Sequence, residues 1–245
     1  MKNYGAFNLR HLAKGLKYNN LKPEELGITA NQVKVLKSWL KLTGLSNGKK
    51  LTPLGSLIKA HDRFLEENIT MEVMHYKILT YNQDSIWRLV FSLSDFDKQY
   101  ILKELSGLYE FKSDLIVADL NVLLNMYIPK IAEKESMNRA LLPLIRKQGD
   151  FYCKREYKPN IWVALAIIID NLPEPTLDNN ASWLEFNTIY STFKNVFGLE
   201  YRTVEDILYK LQNMGFVKIR KSHIEISCNY TFLDCIEKAY KELEV

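Results

Sequence analysis

The chain has 245 residues, 47% apolar and 25% charged, with ten Gly and seven Pro, which excludes disordered, collagen-like and low-complexity material. Its longest apolar run, residues 161–169, is about half of a membrane span. No apolar stretch follows the N-terminal charge as in a secretory signal, and the three cysteines have neither disulfide-framework nor metal spacing, so a globular, cytoplasmic protein without membrane contact is expected. The net charge of +4 is unevenly spread: residues 1–60 hold eleven Lys/Arg against two Asp/Glu (+9), residues 61–135 eight against thirteen (−5), and residues 136–245 fourteen of each.

Pro23, followed by Glu24 and Glu25, predicts a short helix over 23–26, because Pro suits a first turn and acids complement the positive helix end. Gly27 then breaks the chain. Thr29 and Gln32 have the spacing of a capping box, and a longer helix is expected from there to Gly44. Val33, Val35, Leu36, Trp39, Leu40 and Leu42 form its apolar stripe. Lys34, Lys37 and Lys41 form its other face, with Asn31 and Gln32 at the start. Asn47-Gly48, beside Lys49-Lys50, signals a hairpin, and Thr52-Pro53 restarts a helix.

Short helix, turn, longer helix and lysine-tipped hairpin is the order of a winged helix-turn-helix. In that architecture the second helix enters the major groove with its N-terminal residues near base edges. Asn31 and Gln32 are therefore candidate base readers, although capping alone already accounts for Gln32. Lys34, Lys37, Lys41, Lys49 and Lys50 are candidate phosphate contacts. The competing reading is a solvated lysine-rich surface.

Residues 61–135 read as helices over 69–81, 85–93, 94–108 and 114–127, with Ser94 as a cap. Their acidic balance would repel a duplex and turns this stretch away from DNA or towards a partner protein. His61, Asp62 and His75 lack the spacing and third ligand of a metal site, and no metal is expected there. Asp150, Glu156 and Lys158 echo the pattern of magnesium-dependent nucleases, with Glu156 and Lys158 on one strand face; a solvated strand is the competing reading.

Residues 161–170 predict a buried helix, and 171–180 a linker. An amphipathic helix over 183–198, a second helix capped by Thr203, a hairpin over 216–227 and a helix over 232–243 then repeat the order of residues 8–60. Here the helix in the recognition position opens with Glu205-Asp206 and turns only Lys210 outward, which favours protein contact over a duplex. Lys218, Arg220, Lys221 and His223 on its hairpin leave room for phosphate contact.

The expected fold is mainly α, with two winged helix-turn-helix modules joined by a helical middle: 1–60 basic winged module, 61–180 helical region and linker, 181–245 second winged module. Phe7-Asn8-Leu9-Arg10, Lys14-Gly15-Leu16, Trp39-Leu40, Leu51-Thr52-Pro53-Leu54-Gly55, Phe64-Leu65-Glu66 and Met74-His75-Tyr76 carry a further signal. In this order they resemble a bacterial domain-of-unknown-function family associated with DNA phosphorothioation and anti-phage loci, the SspB-like proteins. The resemblance is dense over residues 5–80. It implies a component of a DNA phosphorothioation and defence system working beside sulfur-transfer proteins. Joined to the basic module, it makes a DNA-binding component that docks on double-stranded DNA the expectation, with a homodimer as an option.

Two alternatives stand beside this expectation. One is a magnesium-dependent DNA-nicking endonuclease of the same system, for which no motif here matches a catalytic set; no cofactor is expected unless the chain is such a nickase. The other is a winged-helix transcriptional regulator, suggested by the tandem modules alone.

Overall fold

The computed structural model describes residues 5–17, 21–81, 86–108, 113–128, 141–173 and 183–244. Among the described residues the chain is mainly helical, with two small antiparallel sheets; it divides into two compact units, residues 1–155 and 156–245. Among the described residues no helix is long and apolar enough to cross a membrane.

The first unit runs α1 (Leu9–Lys17), α2 (Pro23–Leu26), α3 (Ala30–Leu42), α4 (Pro53–His61), α5 (Asn68–Tyr81), α6 (Ile86–Ser92), β1 (Asp95–Asp97), α7 (Lys98–Leu108), α8 (Ser113–Tyr127), β2 (Ile145–Gln148) and β3 (Phe151–Lys154). Its centre is α5, in which Ile69 to Tyr76, Ile78 and Leu79 are all buried. A helix buried on nearly every side shows no amphipathic stripe, and here the buried set includes the polar Thr70, Glu72 and His75. The His75 Nδ1 lies 2.8 Å from the Tyr127 hydroxyl of α8, and both rings pack edge-on against Phe91 of α6. Burial pushes the Tyr127 phenol well above its ordinary pKa, so its hydroxyl stays protonated.

Asp62 organises the turn into α5. Its carboxylate accepts the backbone N–H groups of Glu66 and Glu67 at 2.8 and 3.0 Å, and the Thr70 hydroxyl. These bonds hold Leu65, buried, in a left-handed conformation (φ 57°) that a branched side chain rarely adopts. Asp62 and His75 are thus both engaged in structural hydrogen bonds.

Two expectations in this unit need correction. Residues 94–108 are not one helix capped by Ser94. Asp95–Asp97 is a strand paired with β3, Phe96 stacks on Tyr152 with ring centroids 5.4 Å apart, and the Asp97 carboxylate caps α7 by accepting the Tyr100 N–H at 2.7 Å. A strand of three residues whose partner lies more than fifty positions away leaves no local periodicity to read. The hairpin expected at 45–51 is reduced to a single bridge, Ser46 to Leu51.

The second unit runs α9 (Ile161–Asp170), β4 (Trp183–Glu185), α10 (Phe186–Phe197), α11 (Tyr201–Asn213), β5 (Val217–Ile219), β6 (His223–Ile226) and α12 (Phe232–Leu243). The buried helix α9 packs on α12 and α11, and its Trp162 indole N–H donates to the Glu242 carboxylate. Of the linker expected over 171–180, residues 174–180 lie outside the described residues. Trp183 does not open a helix: β4 pairs with β6, Leu184 opposite Ile224, and completes a sheet of order β4-β6-β5. Nor does Thr203 cap α11, which begins at Tyr201 after an extended Glu200.

Candidate nucleic-acid interface

The local chemistry of residues 21–60 fixes a basic surface. Gly27, in a left-handed turn (φ 63°) that suits its missing side chain, ends α2 and lets the chain reverse. The capping box then forms in full: Thr29 Oγ1 accepts the Gln32 N–H at 3.3 Å, and Gln32 Oε1 accepts the Thr29 N–H at 2.8 Å. On the inner face of α3, Val33, Leu36, Trp39, Leu40 and Leu42 are buried, each contributing about 1.5–3 kcal/mol as an upper figure. Trp39 anchors that face between Phe7 and Trp87, at ring-centroid distances of 4.9 and 5.8 Å.

With the apolar stripe fixed inward, Asn31, Gln32, Lys34, Lys37 and Lys41 are all exposed. The helix carries no acidic residue. From Lys34 to Lys41 is seven residues, or about 10 Å of helix, close to the width of a major groove. Gln32 is occupied by the cap, whereas Asn31 lies one position earlier on the exposed first turn.

The turn after α3 adds two exposed lysines, Lys49 and Lys50, and is built rather than loose. The Asn47 side-chain oxygen accepts both of their backbone N–H groups at 3.0 Å, and the Asn47 N–H donates to the Lys50 carbonyl. Thr52 joins this turn to α4: its hydroxyl donates to the Gly44 carbonyl at 2.6 Å and accepts the Gly55 N–H at 2.9 Å. Gly55 is required by a close approach, because a Cβ there would stand 2.0 Å from the Leu45 carbonyl oxygen. The Leu-Thr-Pro-Leu-Gly run is thus the joint that holds the lysine turn against α3.

The sequence missed a neighbour of this face. Tyr81, at the end of α5, lies beside the row, with the Lys41 ammonium 5.8 Å from its ring centroid. Forty positions separate the two, and only the packing of α3 on α5 reveals the contact.

The carboxylates singled out for metal chemistry are differently placed. Asp150 is exposed in the β2–β3 turn. Strand β3 ends at Lys154, so Glu156 and Lys158, both exposed, are not on a strand and share no strand face. The Glu156 carboxylate instead accepts the Glu200 N–H at 3.3 Å, just before α11. Among the described residues no three of His, Cys, Asp and Glu are grouped to hold a metal ion.

In the second unit, α11 exposes Tyr201, Arg202, Asp206, Tyr209 and Lys210, with Glu205 half-buried. Lys210 is therefore joined outward by Arg202, a residue the misplaced cap had put before the helix. On the hairpin, Arg220 donates to the Glu225 carboxylate through Nε and Nη2 at 3.2 Å, and His223 Nε2 lies 3.5 Å from the same group. The Arg220 hydrogen bond, with smaller help from His223, holds the Glu225 carboxyl below its usual pKa. Lys218 and Lys221 are exposed.

A family model described as "Protein of unknown function (DUF4007)" matches residues 11–231. The chain belongs to the DUF4007 family. None of the curated proteins compared matches it. A solved structure, "Magnesium ion-bound SspB crystal structure", has the same fold: the TM-score is 0.77 at 14% identity, over 98% of this chain and 86% of that one. The family match takes in the joint at Thr52–Gly55, the Asp62 turn and all five lysines of the basic surface.

Proposed function

We propose that this DUF4007 protein is a DNA-docking component of a bacterial DNA phosphorothioation and defence system. Residues 1–60 act as a winged helix-turn-helix that lays α3 in the major groove, with residues 181–245 as a second winged module and the helical stretch 61–180 completing the cores. The observation that carries the reading is the outer face of α3: three exposed lysines in one row, an exposed Asn31 on the first turn, and no carboxylate. Lys34, Lys37 and Lys41 would neutralise phosphates on both sides of the groove, Lys49 and Lys50 would contact the flanking backbone, and Asn31 would read an adenine edge. Gln32, engaged in the cap, serves the helix rather than the base.

The defence-system assignment is supported by family membership and by a fold shared with SspB. Its expected partners are double-stranded DNA and the sulfur-transfer proteins, with a second copy of the chain as an option. The second module suits protein contact, since α11 carries carboxylates where a recognition helix would approach phosphates, and Arg220 is engaged by Glu225.

A second reading, a magnesium-dependent nickase of the same system, draws on the magnesium ion bound in the similar SspB structure. Asp150, Glu156 and Lys158 support it weakly, because the strand that would align the last two is missing. The two readings separate in one experiment. The chain is titrated with duplex DNA across a salt series while supercoiled plasmid is incubated with the protein and magnesium. Docking predicts salt-sensitive binding with intact plasmid, lost in a Lys34→Glu, Lys37→Glu variant. Nicked circles that persist in wild type and vanish in Glu156→Ala would move the nickase ahead.

A further inference from the structure

The basic row of α3 does not end with the helix. Lys37 and Lys41 share one face four residues apart, and just past the helix the Gly44 N–H donates to the Lys41 carbonyl at 3.1 Å, so the start of the turn follows directly on Lys41. There it meets α5. The Cγ and Cβ of Lys77 lie 3.2 and 3.4 Å from where a Cβ on Gly44 would stand, so the aliphatic stem of Lys77 rests on that glycine. One helical turn further along α5, Tyr81 is 50% exposed, with Lys41 over its ring. Lys77 and Tyr81, four residues apart, share one face of α5, and the Lys77 ammonium lies 5.0 Å from the Tyr76 ring centroid.

The acidic balance of residues 61–135 does not reach this surface from α5. The one carboxylate on that helix, Glu72, is 2% exposed and faces the core. What α5 presents beside the lysine row is therefore an amine and a phenol.

On the premise that α3 docks on DNA, we propose that Lys77 and Tyr81 are backbone contacts that carry the interface past the helix-turn-helix onto α5. Lys77 supplies a further counter-charge to the phosphodiester backbone of the duplex. Tyr81, its ring held by Lys41, donates its hydroxyl to a phosphate oxygen; tyrosine is among the side chains that position proteins on duplexes in this way. The footprint is accordingly larger than residues 1–60 alone would make.

The test uses the full chain and a short random-sequence duplex in a salt series. Lys77→Met keeps the aliphatic stem on Gly44, so it isolates the charge. It should weaken binding and make the slope of log K on log salt shallower by about 0.9. Tyr81→Phe keeps the ring under Lys41 and removes only the hydroxyl. It should weaken binding about threefold to tenfold without changing the slope. Lys77→Arg should restore the wild-type slope, which a purely packing role for the stem would not require. If both variants bind like wild type while Lys34→Glu, Lys37→Glu has lost binding, the extension onto α5 is wrong and docking through α3 stands. If wild type does not bind at low salt, the docking premise itself fails and takes this inference with it.

Discussion

Gly55→Ala is expected to destabilise the protein by about 2–4 kcal/mol. The added methyl would stand 2.0 Å from the Leu45 carbonyl oxygen, where real contacts stay beyond 3.0 Å, so α4 and the turn must part by about 1 Å. The obstacle is backbone, not the end of a flexible side chain, and relief by a rotamer change is ruled out. Overpacking of this kind costs about 1–3 kcal/mol. Parting the two segments also strains the Thr52 N–H to Leu45 carbonyl bond, 3.0 Å long, worth about 1 kcal/mol net.

For a chain of this size the combined cost corresponds to a fall in Tm of roughly 5–15 °C. Thermal unfolding followed by circular dichroism reads it directly. Gly107→Ala is the internal control. A Cβ there meets nothing within 4 Å, and Gly107 lies in α7, so the same chemical change should be neutral or stabilising by about 0.5–1 kcal/mol. Equal stability of Gly55→Ala and wild type would refute the claim that close approach makes this glycine necessary.

Asn31 and Gln32 should part company when each is changed to Ala. Gln32→Ala should lower stability by about 0.5–2 kcal/mol with sequence preference intact, since it breaks one arm of the capping box; Asn31→Ala should spare stability and relax preference at one base pair, as read by selection from a random duplex pool. Asp62→Ala removes the acceptor of two backbone N–H groups and a hydroxyl, and should cost about 2–4 kcal/mol in urea unfolding, with Asp62→Asn costing less. Burial, with the nearby Cys228 and Asp234, raises the Cys235 thiol to about 12. Unfolding frees it to ionise in the ordinary range, so its contribution to stability is full below that range and is lost as pH rises towards 12. At pH near 8, mass spectrometry after thiol alkylation should find Cys153 and Cys228 modified on the native chain and Cys235 only after denaturation.

What could be read from the chain was whatever is decided within a few residues. The Thr29–Gln32 box, the Thr52-Pro53 start and the inward face of α3 are local, and all three are present as the spacing suggested. The strands Asp95–Asp97 and Trp183–Glu185 were not legible, because each exists only by pairing with a segment about forty or more positions away. Each also falls where the sequence reads as the start of a helix, at Ser94 and at Trp183. The same limit explains the candidate sites. The exposure of Lys34, Lys37 and Lys41 follows from helical periodicity, whereas the strand parity assigned to Glu156 and Lys158 required β3 to continue beyond Lys154. Lys77 and Tyr81 lay inside a segment whose overall acidity pointed away from DNA. Within α5 the one carboxylate, Glu72, is buried, so the acidity summed over the segment is not the charge of that helix's exposed face.

The central claim is that the face of α3 neutralises duplex phosphates, and the salt dependence of binding tests it most directly. With Lys34, Lys37, Lys41, Lys49 and Lys50 each neutralising one phosphate, log K should fall against log salt with a slope of about −4.5, or steeper if Lys77 contributes. In the Lys34→Glu, Lys37→Glu variant the slope should be shallower by roughly 2 units or more. A wild-type chain that binds no duplex at low salt, or binds with an affinity indifferent to salt, would contradict the account.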